Sequence, residues 1–273
     1  MAEILKRSPL LQKHHGRCAL CGKECELTFE HIPPRAAYNS SPVKPVSGKD
    51  YFEAPDHAKR MPWELDGIKY SNQQKGMGLY SLCQDCNNNT GSWYGTSYVR
   101  FAEIALNAVC APIPDNYNAI RFPDIYPLRI IKQICSMFCS INSDVGSIDD
   151  LRRFVLDKES QQFDTAKYRI SMYFLKNQVS KYMGFTVRGN ISTGEIVTLS
   201  QLDAFPVGFQ LVFDPDNNMH YSGIDISEFA RTKYDDLCEV HMPLIIYESN
   251  TIFPNDFRTK AEIIQQSQHS QNE

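Results

Sequence analysis

The sequence predicts an α+β protein in two parts: residues 1–112, with a strand–strand–helix unit around a zinc site, and residues 113–273, an α+β domain rich in antiparallel strands. Three observations carry this prediction. Alternating short apolar stretches precede a helical pattern in the first part, and a period-two rhythm starts near residue 168 in the second. The third is a set of two C-x-x-C pairs with zinc-ligand spacing: Cys18 with Cys21, and Cys83 with Cys86.

Composition and charge are those of a globular protein that does not enter a membrane. Hydrophobic residues make up 42% of the chain and charged residues 22%, which is enough apolar material for a core. No apolar run approaches the roughly 20 residues that cross a bilayer, and the N-terminus lacks a signal-peptide pattern, so we expect a cytoplasmic protein. Residues 1–110 carry 13 Lys and Arg against 11 Asp and Glu, whereas residues 111–273 carry 15 against 21. A phosphate-binding surface is therefore expected on the first part.

The nine Cys favour metal binding over disulfides in a cytoplasmic chain. Gly22 follows the first pair and lets the turn point backbone N–H groups at sulfur. Cys25 lies close by as a spare ligand, but the matched spacing favours Cys18 and Cys21. The remaining Cys stand among apolar neighbours and are predicted to be small core residues: Cys110, Cys135, Cys139 and Cys238.

The first part is predicted to run strand, loop, strand and helix. Residues 26–32 alternate as a short strand that Pro33 ends. Residues 36–78 form a long loop region with a helical turn near residues 56–60, which is either a substrate-facing insertion or a mobile excursion. The basic residues 1–17 are either a solvated arm or short helix, or a contact to backbone phosphates.

A second strand is predicted over residues 79–82 and leads into the second Cys pair. From Asn87 the pattern becomes helical, with a break or a short helix near Thr90-Gly91. Further on, residues 125–142 are predicted to form a helix, and Ser147 caps a second helix that runs to residue 156. Strands are predicted from Tyr168 onwards and over these ranges: 184–187, 195–199, 208–213 and 242–248.

Three polar residues lie where the zinc site would bring the two strands and the helix together. Glu30 and Asn87 both offer oxygen, the ligand atom that Mg²⁺ and Mn²⁺ prefer. His31 titrates near neutral pH and can take a proton from water. Three cationic residues lie nearby in the sequence: Arg35, Lys75 and Arg100. Each either binds the substrate phosphate or is only a surface charge. Three aromatic residues could stack on bases: Trp93, Tyr94 and Tyr98. Their spacing favours packing in the core instead.

These motifs resemble the HNH (His-Asn-His) endonucleases with a ββα-metal fold, in their zinc-braced subgroup. The resemblance covers residues 15–110 and rests on three motifs: Cys18-x-x-Cys21, Glu30-His31-Ile32-x-Pro34 and Leu82-Cys83-x-x-Cys86-Asn87. It implies that His31 is the general base, that Glu30 and Asn87 hold a catalytic Mg²⁺ or Mn²⁺, and that the four Cys bind structural zinc. The implied reaction hydrolyses DNA, in preference to RNA, to 5′-phosphate and 3′-hydroxyl ends. Defence against foreign DNA is the setting that the family suggests.

One position departs from the family pattern. The middle Asn, which steadies the loop that presents the His, is expected about five residues before the third Cys, where this chain has Gly78. Asn72 is the nearest upstream candidate; otherwise the steadying residue must come from residues 36–78. Glu30 also stands where Asp is more common, which affects metal preference.

Two other readings of the first part and three roles for the second stay open. The zinc unit is alternatively a non-catalytic module that binds nucleic acid, or one that binds a protein partner. Residues 113–273 are expected to recognise substrate, to form a homodimer or to sense a signal, and the pattern does not choose between these roles.

Overall fold

The computed structural model describes residues 14–112, 118–146, 148–189 and 194–270. It contains both helices and strands, which confirms the α+β class. The strands are β1 (His14–Arg17), β2 (Glu24–His31), β3 (Gly78–Cys83), β4 (Ala119–Ile125), β5 (Tyr168–Leu175), β6 (Ser180–Gly189), β7 (Ile196–Ala204), β8 (Val207–Phe213), β9 (Ile224–Asp225), β10 (Cys238–Pro243) and β11 (Ile246–Tyr247). The helices are α1 (Gly48–Phe52), α2 (Gln84–Thr90), α3 (Thr96–Cys110), α4 (Pro127–Ile141), α5 (Asp149–Leu156) and α6 (Lys260–Ser270).

The first sheet places the two Cys pairs beside each other. It is antiparallel in the order β1-β2-β3, so β1, which leads into Cys18, and β3, which ends at Cys83, flank β2. The two expected strands are confirmed as β2 and β3. The end of the basic segment forms β1 rather than an arm or a short helix, and residues 1–13 lie outside the described residues.

Helix α2 begins directly after β3, and the Sγ of Cys83 caps it by accepting the N–H of Cys86 at 3.5 Å. The expected break near Thr90-Gly91 is instead one wider π turn over Gly91–Gly95, through which α2 continues into α3. Thr90 donates its hydroxyl to the carbonyl of Cys86 at 2.9 Å. This side-chain hydrogen bond gives the Cys86 carbonyl a partner where the backbone changes from α-helical to π-helical hydrogen bonding, so the helix continues.

The long segment between β2 and β3 has structure of its own. It contains α1, the expected helical turn as a 3₁₀ turn over His57–Lys59, and a bridge between Val43 and Gln73. A small separate apolar cluster is formed by Tyr51, Ala54 and Ile68. We refer to residues 36–78 below as the insertion.

The second sheet has six strands, in the order β11-β5-β8-β7-β6 with β9 beside β5, which confirms the strand-rich pattern from residue 168. The prediction of a single strand over residues 242–248 is wrong, because β10 ends at Pro243 and β11 starts only at Ile246. β10 pairs with β4, which the sequence did not predict because Pro123 interrupts it. The β4–β10 register shifts between Cys238 and Val240, opposite that proline.

Helix α4 lies at the centre of the core. It starts at Pro127, a favoured first helical residue, and every residue in it except Arg129 and Ile141 is buried. One continuous apolar cluster includes α4 and side chains from both sides of residue 112, so the domain division at that residue stays a prediction. Among the described residues no helix combines the length and apolar character that crossing a bilayer requires.

The scattered Cys are only partly core residues. Cys135 and Cys139 are buried in α4, as predicted. Cys110 is exposed and Cys238 half-buried, so the prediction is wrong for Cys110, which occupies the last turn of α3 where the helix leaves the core. Ser147, the expected cap of α5, lies outside the described residues.

Candidate metal centre and adjoining polar site

The four Cys of the two C-x-x-C pairs meet in one cluster. The Sγ atoms of Cys18, Cys21, Cys83 and Cys86 all lie within 4.8 Å of one another, and those of Cys21 and Cys83 are 3.9 Å apart. A tetrahedral zinc site with Zn–S bonds of about 2.3 Å requires S···S distances of about 3.8 Å. The four thiols could therefore hold a structural metal ion such as zinc. Cys25 is outside this cluster, as the matched spacing predicted.

The first pair lies in a tight turn in which the backbone N–H groups of Leu20 and Cys21 point at the sulfur of Cys18. Gly22 has φ of +72°, and its N–H donates to the carbonyl of Cys18 at 2.9 Å. The N–H of Cys83 donates to Cys18 Sγ at 3.3 Å. A hydrogen bond from the Cys86 thiol lowers the pKa of Cys18 to about 4, and the same contact, with burial, raises the pKa of Cys86 well above its usual range. One thiolate held by its neighbours' donors is a ready ligand for a cation.

Asn87 joins α2 to β2 directly beside this cluster. Its Nδ2 donates to Thr28 Oγ1 at 2.9 Å and to the carbonyl of Phe29 at 3.2 Å. Both contacts use the amide nitrogen, and within the described residues no hydrogen bond engages Oδ1. Thr28 and Glu30 share one face of β2 because side chains alternate along a strand. Asn87 therefore contacts the stretch of β2 that directly precedes Glu30.

Glu30 is a buried carboxyl group without a partner in the part of the chain that the structure describes. It is only 6% exposed, and burial raises its pKa to about 8. A buried carboxylate that lacks a counter-charge is strongly disfavoured. The donor set of a carboxylate and a free amide oxygen fits a hard cation such as Mg²⁺ or Mn²⁺.

His31 ends β2 and faces the other way. Its ring lies 5.0 Å from that of Phe29 and so shares the face opposite Glu30. Burial lowers the pKa of His31, the charges of Arg35 and Lys75 add to this, and a hydrogen bond to the backbone of Lys75 opposes it. Its Nε2 is buried and has no hydrogen-bond partner among the described residues. A neutral imidazole with a free ring nitrogen can accept a proton.

Asn39, which the sequence did not identify, braces the loop after His31. Its Nδ2 donates to the carbonyls of Pro33 and Met77, and its Oδ1 accepts the N–H of Met77, each at 2.7 Å. The residue belongs to the insertion, as expected for the steadying group, but it is not Asn72, which is exposed. No motif marks Asn39, because its partner Met77 is 38 residues away.

Gly78 explains why the expected position holds no Asn. A Cβ atom at this residue would lie 2.2 Å from the carbonyl oxygen of Glu30, closer than any real contact. The backbones of β2 and β3 approach each other here, where His31 pairs with Gly78. Only glycine allows this approach beside the candidate site.

The predicted phosphate-binding cations and base-stacking aromatic residues differ in their exposure and in their distance from the candidate site. Arg35 and Lys75 are exposed and close enough to His31 for their charges to lower its pKa, whereas Arg100 faces Glu103 at 3.9 Å. The core interpretation of the aromatic residues is confirmed for two of them, which are buried: Tyr94, which donates to the carbonyl of Val155, and Tyr98. Trp93 is half-buried.

Comparison with known proteins identifies no relative, because no protein-family model, no curated protein and no solved structure matches this chain.

Proposed function

We propose that the chain is a metal-dependent endonuclease of the HNH type, which hydrolyses phosphodiester bonds in DNA. One observation carries the proposal: the Glu30 carboxyl is buried and unpaired among the described residues, directly after the stretch of β2 that Asn87 contacts. A cation bound by Glu30 accounts for a carboxyl group in that position. A zinc module that only stabilises a fold needs no such group, and it needs no free His31 nitrogen either.

The metal ligands have separate roles in this proposal. The four clustered thiols hold structural zinc and fix the end of β3 against the turn after β1. Glu30 and Asn87 Oδ1 would hold the catalytic Mg²⁺ or Mn²⁺. When bound, that ion would supply positive charge that stabilises the negative charge developing on the phosphate and on the leaving 3′ oxygen. Since Asn87 follows Cys86 directly, the zinc cluster also sets the position of this ligand.

His31 acts as the general base. Its free Nε2 takes a proton from a water molecule as the water oxygen attacks phosphorus in line. The new P–O bond forms while the bond from phosphorus to the 3′ oxygen breaks, and that oxygen then takes a proton from solvent. Products are 5′-phosphate and 3′-hydroxyl ends. Because Glu30 and His31 face opposite sides of β2, the phosphate would lie at the end of the strand, where both can reach it.

The test is metal-dependent cleavage of plasmid, single-stranded DNA and RNA in Mg²⁺ and in Mn²⁺. We expect cleavage of DNA that falls by about 10²- to 10⁴-fold in His31→Ala. Glu30→Gln should abolish cleavage and weaken Mn²⁺ binding, which can be followed by paramagnetic resonance of the free ion. His220→Ala, at an exposed histidine in the turn after β8, is the matched control and should cleave as the wild type does.

Two results would reject the nuclease. Binding of DNA without any metal-dependent cleavage would leave the non-catalytic zinc module as the function. Cleavage undiminished in His31→Ala would show that the activity comes from a different site or from a contaminant.

A further inference from the structure

A large groove lies between the insertion and the second sheet, away from the zinc cluster. Its volume is about 970 Å³, at the upper end of the roughly 300–1,000 Å³ of small-molecule pockets. The insertion contributes four residues of α1 (Gly48, Asp50, Tyr51 and Phe52) and residues on both sides of it, and the opposite wall comes from residues 177–183 and 249–252. We call it the insertion groove.

The groove is positively charged in a chain of net charge −4. Its charged lining residues are Lys44, Lys69, Lys181, Lys260 and Asp50. Lys181 already pairs with buried Asp203 at 3.2 Å. Among the described residues no acidic group pairs with Lys44, Lys69 or Lys260, so three cations remain for an anionic ligand.

Aromatic rings accompany these cations. Lys44 Nζ lies 4.9 Å from the centre of the Tyr70 ring, and Lys260 Nζ lies 4.9 Å from that of Trp63. Tyr70 is 48% exposed and Phe52 46% exposed, so both present ring surface to a ligand. Alternating rings and cations are the chemistry of single-stranded nucleic-acid binding, in which bases stack and the backbone is neutralised.

Met77 connects the groove to the candidate active site. It lines the groove, and its carbonyl accepts hydrogen bonds from the N–H of Ile32 and from Asn39. The next residue, Gly78, pairs with His31. The wall of the insertion groove and the loop after β2 therefore share one hydrogen-bonded segment.

From this we infer that the insertion groove binds a single strand of nucleic acid, so that the substrate is DNA with unpaired nucleotides beside the scissile phosphate. The inference rests on the proposed function in taking the bound strand as the substrate. Bases in a duplex hide their faces in the stack, and only unpaired bases can lie on Trp63, Tyr70 or Phe52.

Trp63 allows a direct binding test, since the chain has only two Trp. In Trp93→Phe the emission of Trp63 alone is followed while oligothymidylates of about 4 to 16 nucleotides are added to the full chain without Mg²⁺ or Mn²⁺. We expect quenching, with an affinity that rises with length and falls with salt. A matched duplex should quench less.

Groove variants are tested by anisotropy of labelled oligothymidylate. Tyr70→Leu and the pair Lys44→Ala/Lys69→Ala should each weaken binding by about 10-fold or more. The controls are Phe185→Leu, at an exposed ring on β6 outside the groove, and the pair Lys49→Ala/Lys59→Ala, at exposed lysines of the insertion that do not line it. Both controls should bind as the wild type does.

Cleavage separates this inference from the proposed function. We expect the enzyme to prefer DNA with an unpaired stretch over full duplex, and the groove variants to lose that preference. Binding of the single strand without cleavage would reject the proposed nuclease function but support the inference about the insertion groove. Cleavage without strand preference, quenching by mononucleotides alone, or groove variants that bind like the wild type would each overturn the inference.

Discussion

Asn39 and Met77 are joined by two hydrogen bonds of opposite direction, each 2.7 Å long, next to the strand pair that carries Glu30 and His31. The same Asn39 amide nitrogen also reaches the carbonyl of Pro33. One buried side chain thus connects the loop after β2 to the residue before β3. The position of His31 depends on this bridge and not on the strands alone.

Replacing Asn39 should therefore lower both stability and activity. Asn39→Ala leaves the buried N–H and carbonyl of Met77 without their side-chain partner, which we expect to cost about 1–3 kcal/mol in the free energy of unfolding. Urea denaturation measures this cost, and metal analysis should show zinc still bound. Asn72→Ala, at the exposed asparagine first considered for this role, is the control; if it has the larger effect, the assignment of Asn39 is wrong.

At this site the sequence could predict two kinds of feature: contacts between residues close in sequence, and the meeting of distant residues that bind the same metal ion. The C-x-x-C spacing is local, and a single ion must join the two pairs, so the sequence alone predicted that Cys21 and Cys83 meet across 62 residues. Glu30 and Asn87 each stand next to a motif residue, and their meeting at one ion stays a prediction.

The features that the sequence did not predict depend on distant packing. Asn39 and Met77 carry no motif, and only the folded insertion brings them together. β4 was missed because its proline argues against a strand until β10 supplies a partner with a shifted register. Arg152, on α5, donates to the carbonyl of Ala19, 133 residues earlier, and nothing local marks either residue.

Removing one thiol of the cluster should release the metal. Cys83→Ser takes away a ligand and replaces the group that caps α2, so we expect loss of bound zinc and a lower melting temperature. Elemental analysis and thermal denaturation measure the two effects. Cys25→Ser, near the cluster but outside it, should keep zinc and stability. Equal zinc loss in both variants would contradict the four-Cys site.

Arg152 should control how firmly the first Cys pair is held. Its Nε donates to the carbonyl of Ala19 at 2.9 Å, and its other nitrogens reach Asp149 and the carbonyls of Ser143 and Val145. Arg152→Lys keeps the charge but loses this planar set of donors. We expect about 1.5–3 kcal/mol of destabilisation and faster zinc release to a chelator.

Arg153→Lys, at the exposed neighbour on the same helix, is the matched control for the Arg152 variant. It should leave unfolding and zinc release unchanged. Slower or unchanged release in Arg152→Lys would show that the turn of Cys18–Cys21 holds itself without α5.

Glu30 should make stability depend on pH when no catalytic metal is added. Its pKa is about 8 in the folded chain and about 4.3 when unfolded, so the folded state binds more protons between these values and stability falls as pH rises through that window. Glu30→Gln keeps a neutral side chain at every pH. Denaturation at about pH 5 should give similar free energies of unfolding for both proteins, and at about pH 8.5 the variant should be the more stable.

Glu24→Gln, at an exposed position on the same strand, is the control and should have the same pH dependence of stability as the wild type. Added Mn²⁺ should restore the wild type alone, because only its carboxylate can bind the ion; a variant that responds equally would place the metal elsewhere.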